Sequence, residues 1–243
     1  MKRFGLIGYP LGHSFSKKFF TDKFSKEGLN DCVYETFPIE HIESLPALIK
    51  KHPDLSGLNV TIPHKEKVIG YLSEQSKVVK QTGACNCIVI RDGKLSGHNT
   101  DVLGFQESLQ KSFPNLPKSA LILGTGGAAK AVEYVLKQLK ISRHFVSRKP
   151  SAHNYSYEQV TPAIIKKHQL IINTTPLGMY PHVVEAPPIP YEAIGKDHCL
   201  YDLIYNPEKT LFLQKGEEHG AAIQNGLEML IIQAEESWKI WNQ

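Results

Sequence analysis

Short apolar runs alternate with longer segments of helical periodicity along the whole chain. In the first hundred residues, strands are predicted at RFGLIGY (3–9), VYETFPI (33–39), GLNVTI (57–62) and CNCIVI (85–90), with helices near SKKFFTDKFSKEG (16–28) and HIESLPALIKKH (41–52). A second series places strands at SALILG (119–124), RHFVSR (143–148), QLIINTT (169–175) and HCLYDLIY (198–205), with helices at TDVLGFQESLQKS (100–112) and AAKAVEYVLKQLK (128–140). Strand and helix alternate in both halves, which is typical of parallel α/β sheets. Two series of this length predict two α/β domains.

Composition narrows the class of protein. The 243 residues are 41% hydrophobic, and the formal net charge is only +4, with no run of five or more like charges. We therefore expect neither a nucleic-acid partner nor a membrane partner, and no segment approaches the roughly 20 apolar residues of a transmembrane helix. Glycines and a proline interrupt the apolar part of MKRFGLIGYP, so this segment is interpreted as a first strand and not as a signal peptide.

The cysteines and histidines predict no metal site. Cys32, Cys85, Cys87 and Cys199 have neither C-x-x-C spacing nor the density of a disulfide scaffold, which favours a reducing cytoplasm. Alternation in GACNCIVI predicts that Cys85 and Cys87 lie on one face of a strand as packed thiols. The eleven histidines form no H-x-x-H or H-E-x-x-H motif, so we expect no metal dependence.

A glycine-rich loop predicts a dinucleotide site. The sequence LILGTGGAAKAVEYVL has a strand, then Gly124-x-Gly126-x-x-Ala129, then an apolar-periodic helix, whose unpaired N–H groups and positive dipole end suit a pyrophosphate. An NAD site would carry Asp or Glu about 20 residues later. This chain has Ser147, Arg148 and Lys149 there, and their positive charges favour the 2'-phosphate of NADP. The alternative is that Arg148 and Lys149 are a solvated pair of loop residues.

A cluster of polar residues in NVTIPHK (59–65) predicts the substrate site. Strand alternation sends Asn59 and Thr61 to one face, and Pro63 ends the strand, so that Lys65 begins the next element near that face. Reduction of a ketone with a nicotinamide cofactor adds a hydride and a proton, and these polar groups can bind the substrate and move the proton.

Eight segments in order resemble the shikimate dehydrogenase family. They are GYPLGHSFS (8–16), NVTIPHK (59–65), TGACNCI (82–88), GHNTDVLGF (97–105), GTGGAAKAV (124–132), NTTPLGM (173–179), YDLIYNPEKTLFL (201–213) and NGLEMLIIQA (225–234). The resemblance spans nearly the whole chain. It implies reversible reduction of 3-dehydroshikimate to shikimate by NADPH, a step of chorismate and aromatic amino acid biosynthesis.

The same resemblance implies a role for individual residues, position by position. Lys65 and Asp101 would form the catalytic pair. The substrate carboxylate would bind Ser14 and Ser16, helped by Tyr205, while Asn59, Thr61, Asn86, Asp101 and Gln233 would contact its hydroxyls or hold the site in place. The residues implied to line the cofactor are Gly124, Thr125, Gly126, Gly127, Ala128, Ala129, Ser147, Arg148, Lys149, Thr174, Thr175, Leu203 and Gly226.

The family also implies how the two domains are built. Residues 1–100, together with a C-terminal helix at 226–243, would form a substrate-binding α/β domain with a mainly parallel sheet, and residues 101–225 a Rossmann-type NADP-binding domain, with a cleft between the two. The chain would be a monomer or a homodimer. The return of the C-terminal helix follows from the resemblance alone.

Four positions in three segments depart from the usual family pattern. Lys17 stands where proline is common, Cys87 where threonine is common, and Ser147-Arg148-Lys149 where Asn-Arg-Thr is common, which keeps the phosphate-binding arginine but changes the adenosine pocket. Two alternatives stay open: an enzyme that mainly oxidises quinate or another ring analogue, and a non-catalytic NADP-binding regulator of the same fold.

Overall fold

The computed structural model describes residues 1–12, 15–149 and 154–243. The described chain divides into two compact units: unit 1 contains Met1–Thr100 and Ala234–Gln243, and unit 2 contains Asp101–Gln233. The predicted return segment was 226–243, whereas this division assigns only Ala234–Gln243 to unit 1. None of the helices among the described residues is long and apolar enough to cross a membrane.

Unit 1 is a mixed α/β unit. Its strands are β1 (Lys2–Gly8), β2 (Cys32–Pro38), β3 (Leu55–Val60), β4 (Glu74–Gln75), β5 (Cys87–Arg91) and β6 (Lys94–His98). Its helices are α1 (Phe15–Lys26), α2 (Leu45–Lys51) and α3 (Lys77–Thr82), with short 3-10 turns at Ile42–Ser44 and Lys67–Tyr71. Every strand and helix predicted from the first hundred residues has a counterpart here.

The sheet of unit 1 is mainly parallel, as predicted, with strand order β2-β1-β3-β5-β6-β4. Only β5 runs against its neighbours, β3 and β6. The reversal takes place at Asp92 and Gly93, whose φ angles of 49° and 73° form a tight hairpin turn. The sequence prediction missed β4, which has only two residues, and β6, although for β6 an Asp-Gly pair after an apolar run is a strong hairpin signal.

Apolar clusters cover both faces of this sheet. Ile88 and Ile90 of β5 belong to one cluster, and Cys87 and Val89 belong to the other, as alternation along a strand requires. Cys85 lies in the cluster of Ile88, so the prediction that Cys85 and Cys87 share one face is wrong. The physical reason is that β5 begins only at Cys87, and strand alternation does not extend back to position 85.

The end of the chain completes one of these clusters. Helix α8 (Leu227–Trp241) ends on Trp241, whose Nε1 donates a hydrogen bond of 3.0 Å to the carbonyl oxygen of Ile88. The Trp241 ring stacks on Phe4 at a centroid distance of 4.9 Å. It also occupies the space that a side chain at Gly57 would need. Glycine at position 57 of β3 therefore lets the indole pack against the strand backbone.

Unit 2 has a second, fully parallel sheet. Its strands are β7 (Ser119–Leu123), β8 (Ser142–Val146), β9 (Asn154–Tyr155), β10 (Leu170–Asn173), β11 (Cys199–Asp202) and β12 (Ala222–Gln224). Its helices are α4 (Asp101–Ser112), α5 (Gly127–Gln138), α6 (Pro162–Lys167), α7 (Leu211–Glu218) and the first part of α8, with 3-10 turns at Tyr157–Gln159 and Tyr191–Ala193. The short strands β9 and β12 were not predicted from the sequence.

The strand order of this sheet is β12-β11-β10-β7-β8-β9. Numbered within the unit, this is the Rossmann order, in which the first strand lies between the second and the fourth. The order reverses between β7 and β10, and in such sheets ligands bind beyond the carboxyl ends of the strands at this point. The prediction of an α/β fold with a Rossmann-type unit is therefore confirmed.

Candidate functional site

Two of the predicted substrate-binding residues of unit 1 are joined by buried hydrogen bonds. Asn59 lies near the end of β3, and its Nδ2 donates to the carbonyl oxygen of Asn86 at 3.3 Å and to Ser237 Oγ at 3.0 Å. Its Oδ1 accepts from Tyr34 Oη at 2.8 Å. Asn59 is 5% exposed and Asn86 3% exposed. Of the two roles that the family resemblance leaves for Asn59, these contacts favour holding the site in place.

Thr100, the residue before Asp101, holds the side chain of Asn86 by hydrogen bonds. The backbone N–H of Thr100 donates to Asn86 Oδ1 at 2.7 Å, and Asn86 Nδ2 donates to Thr100 Oγ1 at 3.0 Å. Because both atoms of the amide are engaged by one residue, the plane of the Asn86 side chain is determined. Thr100 Oγ1 also lies 3.2 Å from Ser237 Oγ.

Only one of the two predicted carboxylate-binding serines lies among the described residues. Ser14 lies outside the described residues. Ser16 is buried on the first turns of α1, and its hydroxyl hydrogen-bonds to Tyr34. Burial raises the pKa of Tyr34 well above its ordinary value, so Tyr34 is a neutral donor to Asn59 at physiological pH.

The turn that carries Lys65 is held by its backbone and by His64. Thr61 packs over Gly8, where a Cβ atom would collide with its methyl group. The fully buried His64 has its Nε2 2.7 Å from the carbonyl oxygen of Ile39, and its backbone N–H donates to Thr61 O at 3.0 Å. Lys65 is half-buried, and its carbonyl oxygen accepts from the N–H of Cys85 at 2.8 Å. The main chain is thereby held at His64 and at the carbonyl group of Lys65.

Asp101 and Gln233 lie in unit 2, on helices that touch through a glycine. Asp101 is the first residue of α4 and is buried, where the positive end of the helix dipole stabilises a carboxylate. One turn later, a Cβ atom at Gly104 would lie 2.6 Å from the carbonyl oxygen of Met229 and 3.1 Å from Cβ of Gln233. Glycine at 104 therefore lets α8 approach the backbone of α4. Gln233 is buried, and its Nε2 donates to Leu230 O at 2.9 Å.

The glycine-rich loop joins β7 to the N-terminus of α5 and fits a dinucleotide. Gly124 has φ of +108°, which disfavours any residue with a side chain. Gly126 precedes the helix, is exposed, and has no atom within 4 Å of the place where a Cβ would lie. The backbone is thus open to a ligand at the point where the helix N–H groups are unpaired within the helix.

The other residues of this loop divide between surface and core. Thr125 is exposed, Gly127 and Ala128 are half-buried, and Ala129 is 1% exposed in the packed face of α5. A small residue at the third position of the motif lets the helix pack closely on the sheet, which is the role that alanine fills here.

Ser147, Arg148 and Lys149 follow directly after β8. Ser147 accepts from the backbone N–H of Lys149 at 3.2 Å and donates its own backbone N–H to Tyr155 O at 2.9 Å. Arg148 and Lys149 are exposed. Burial raises the pKa of Tyr157, and the nearby positive charge of Arg148 opposes this rise. The end of the second Rossmann strand therefore carries an exposed guanidinium and no carboxylate at 147–149.

Thr174 and Thr175 follow β10 and pack against the glycine loop. Thr174 Oγ1 donates to the carbonyl oxygen of Leu123 at 2.7 Å, and Thr175 Oγ1 donates to Asn173 Oδ1 at 2.6 Å. Asn173 in turn donates from Nδ2 to Asp202 Oδ1 at 3.1 Å. The threonines are thus fixed to the end of β7 and, through Asn173, to the end of β11.

Asp202 is a buried carboxyl group that holds several loops together. Besides Asn173, its donors are the backbone N–H of Ile204 at 3.0 Å and Thr210 Oγ1 at 2.6 Å. Burial raises the pKa of Asp202 to about 6, although these hydrogen bonds oppose the rise. Neither Asp202 nor Asn173 was singled out from the sequence, although both stand in segments that carry the family resemblance.

Leu203, Tyr205 and Gly226 lie beyond β11 and β12. A Cβ atom at Gly226 would collide with the carbonyl group of Leu203, and the N–H of Gly226 donates to Ile204 O at 3.0 Å. Gly226 is therefore required by close backbone approach. Leu203 and Tyr205 are half-buried.

Within each unit, the structure gathers most of the predicted residues. In unit 1, Ser16, Asn59 and Asn86 are joined by hydrogen bonds, with Thr61 and Lys65 in the turn after β3. In unit 2, the predicted cofactor residues all follow the carboxyl ends of parallel strands. Within residues 1–12, 15–149 and 154–243, no group of three or more His, Cys, Asp or Glu side chains could hold a metal ion.

Comparison with known proteins identifies the family. The family model described as the shikimate dehydrogenase substrate binding domain matches residues 6–88. Shikimate dehydrogenase (NADP(+)) of Halothermothrix orenii is 38% identical in an alignment that covers 98% of this chain and 89% of the relative.

Solved structures agree over the full length. Shikimate dehydrogenase 1 of Peptoclostridium difficile has 36% identity and a TM-score of 0.86, covering 100% of this chain and 92% of its own. Shikimate 5-dehydrogenase of Thermus thermophilus, solved with NADP(H) and shikimate, has 28% identity and a TM-score of 0.86, with coverage of 99% and 93%. The prediction from the eight motifs is confirmed: the chain belongs to the shikimate dehydrogenase family.

Proposed function

We propose that this protein catalyses the reversible, NADPH-dependent reduction of 3-dehydroshikimate to shikimate, a step of chorismate and aromatic amino acid biosynthesis. The observation that carries the proposal is the relative named shikimate dehydrogenase (NADP(+)), which is 38% identical over 98% of this chain. The bound shikimate and NADP(H) of the Thermus thermophilus enzyme support the choice of both ligands.

Substrate binding is assigned to the polar residues that the family resemblance implies. Shikimate carries a carboxylate and several hydroxyls, and groups of this kind are bound by serine, threonine, asparagine and glutamine side chains. Ser14, Ser16 and Tyr205 bind the carboxylate, and Thr61, Asn86, Asp101 and Gln233 bind the hydroxyls. Asn59 holds the site in place, since both protons of its Nδ2 are already donated, to Asn86 O and to Ser237 Oγ, whereas Asn86 Nδ2 donates one proton to Thr100.

Lys65 and Asp101 carry the proton chemistry in this proposal. The nicotinamide cofactor supplies or accepts the hydride when bound. Lys65 gives a proton to the oxygen of the carbonyl group as it becomes a hydroxyl, and takes it back in the oxidation direction. Asp101 accepts a hydrogen bond from the same hydroxyl and orients it. The anchored backbone of Lys65 limits where its ammonium group can lie.

Cofactor binding is assigned to the ends of the parallel strands of unit 2. Gly124, Gly126 and the N-terminus of α5 hold the pyrophosphate, and the exposed Arg148 pairs with the 2'-phosphate of NADP. The remainder of the cofactor is lined by Thr125, Gly127, Ala128, Ala129, Ser147, Lys149, Thr174, Thr175, Leu203 and Gly226.

We place the protein in the cytoplasm because its four cysteines, all within the described residues, form no disulfide. Its state as monomer or homodimer stays a prediction.

The decisive experiment is an assay of the purified protein with shikimate and NADP⁺, followed by the near-ultraviolet absorbance of NADPH. We expect absorbance to rise only when both are present. Quinate in place of shikimate, at matched concentration, tests the first alternative, and faster turnover of quinate would favour it. Absence of turnover with either compound would contradict the proposal and favour a non-catalytic regulator.

A further inference from the structure

Tyr34 and Ser237 lie outside the eight segments that carry the family resemblance, yet both are enclosed among the proposed substrate-binding residues. Tyr34 is 2% exposed and Ser237 is fully buried. Tyr34 stands on β2 and Ser237 on α8, far apart in the sequence and both within unit 1.

We infer that Tyr34 and Ser237 are positioning residues for shikimate binding, which fix Ser16, Asn59 and Asn86 through one continuous run of buried hydrogen bonds. Neither residue is assigned a contact with the substrate. The inference rests on the proposed function, because it concerns how that same site is held in its binding geometry.

The first link is the phenol of Tyr34. Its oxygen is hydrogen-bonded to the Ser16 hydroxyl and donates its single proton to Asn59 Oδ1 at 2.8 Å. Because Tyr34 gives that proton to Asn59, the Ser16 hydroxyl donates to Tyr34 when no ligand is bound, and its single proton turns to the carboxylate when shikimate binds. One phenol therefore sets the orientation of the Asn59 amide and keeps a polar partner beside the oxygen of Ser16.

The second link is the hydroxyl of Ser237. It accepts from Asn59 Nδ2 at 3.0 Å and lies 3.2 Å from Thr100 Oγ1. Thr100 engages both amide atoms of Asn86, as described above. Ser237 thus connects Asn59 to Asn86 by way of Thr100. It lies on α8, near the C-terminal end of the chain.

The run is buried throughout, which makes its members sensitive to the loss of a partner. The exposed fractions of Ser16, Asn59, Asn86 and Thr100 lie between 2% and 9%. Removal of one buried partner leaves a polar atom unpaired, which is more damaging than the loss of a solvated hydrogen bond. The stacking of Tyr34 on Phe20, at a centroid distance of 4.6 Å, would survive replacement of tyrosine by phenylalanine.

The test uses Tyr34→Phe and Ser237→Ala, with Ser237→Thr as the rescue variant. The matched controls are Tyr201→Phe and Ser108→Ala, because these two hydroxyls form a fully buried hydrogen bond of 2.8 Å within unit 2 and contact none of the residues in the run. Steady-state kinetics in the oxidation direction give kcat and separate KM values for shikimate and NADP⁺, and thermal unfolding reports the fold of each variant.

We expect Tyr34→Phe and Ser237→Ala each to raise KM for shikimate about five- to fiftyfold, with kcat within about threefold and KM for NADP⁺ within about twofold. Ser237→Thr should recover most of the affinity. The double variant should show less than the product of the single effects, because both residues act through Asn59. The controls should lower the unfolding temperature without changing KM for shikimate.

Several outcomes would overturn the inference. Unchanged KM for shikimate in the folded Ser237→Ala protein is one, and an equal rise in KM in the Ser108→Ala control is another. A parallel rise in KM for both ligands would assign a general structural role instead. An inactive parent protein would overturn the proposed function as well, whereas an active parent with unaffected variants would overturn the inference alone.

Discussion

Gly124 and Thr174 follow neighbouring parallel strands, β7 and β10, and a Cβ atom at position 124 would lie 2.6 Å from Thr174 Oγ1. The glycine also has a φ of +108°. Two separate constraints, one of space and one of backbone conformation, thus require glycine at the point where the strand order of the sheet reverses.

Gly124→Ala should therefore destabilise unit 2. Strain at a positive φ and the clash with Thr174 together predict a loss of about 2–4 kcal/mol in the free energy of unfolding. Chemical denaturation followed by circular dichroism measures this loss. The matched control is Gly126→Ala, two residues later, where the space is open and φ is −77°. This control should keep its stability and instead raise KM for NADP⁺, because its methyl group occupies the approach of the pyrophosphate. Equal stability of the two variants would contradict the prediction.

Lys65→Met should separate catalysis from binding. The substitution keeps the apolar stem and removes the amine, so we expect kcat to fall by about 10²–10⁴ with KM for shikimate within a fewfold. Lys67→Met is the control, since Lys67 is exposed and stands only two residues later. If Lys65→Met keeps more than about a tenth of the parent kcat, or acts only through KM, Lys65 is a binding residue and the proton takes another route.

Arg148→Ala should weaken the preference for NADP over NAD. A charge-assisted contact with the 2'-phosphate corresponds to about a ten- to hundredfold difference in kcat/KM, and NAD lacks this phosphate. We expect kcat/KM to fall for NADP⁺ and to stay nearly constant for NAD⁺. Arg91→Ala, which removes an exposed arginine at the end of β5, should affect neither cofactor. Equal use of NAD⁺ and NADP⁺ by the parent protein would contradict the role given to Arg148.

Asp202 should make stability depend on pH in an unusual direction. Burial raises its pKa from 3.8 to about 6, so the folded protein favours the protonated acid. The contribution of Asp202 to the free energy of unfolding is complete below about pH 4 and is lost as the pH rises through about 6. The loss in unfolding free energy is about 3 kcal/mol. Asp202→Asn replaces the acid by a neutral analogue and should remove this part of the pH dependence.

The comparison between parent and Asp202→Asn cancels the titration of other groups. The two proteins should have similar stability near pH 4, and the variant should be the more stable one near pH 7. A constant difference in unfolding free energy across this range would show that Asp202 is ionised in the folded protein throughout.

The sequence predicted the long elements of both sheets because their apolar residues are numerous enough to show a period. Strands β9 and β12, of two and three residues, are too short for any period to appear. Strand β6 could have been predicted, since the pair Asp92 and Gly93 after an apolar run indicates a hairpin. The two cysteines were placed on one face because the start of β5 could not be located to within two residues.

The candidate site was predicted where its residues are close in sequence. Lys65 follows Asn59 by six positions, and Gly124 to Ala129 form one loop. Tyr34 and Ser237 carried no such signal, because their partner Asn59 lies 25 and 178 positions away along the chain. Hydrogen bonds of this range depend on strand order and on the return of α8, and a single sequence shows neither.

The return of α8 to unit 1 has a consequence for the order of events during protein synthesis. Phe4 and the β3 surface at Gly57 leave the ribosome early, but Trp241, which packs on both, is made only after all of residues 101–233. Because chains fold as they emerge, α1 can pack on the first sheet while the positions that Trp241 covers still lack its ring. We therefore expect Phe4 and the β3 surface at Gly57 to stay without their indole cover until the last helical turns of α8 are made.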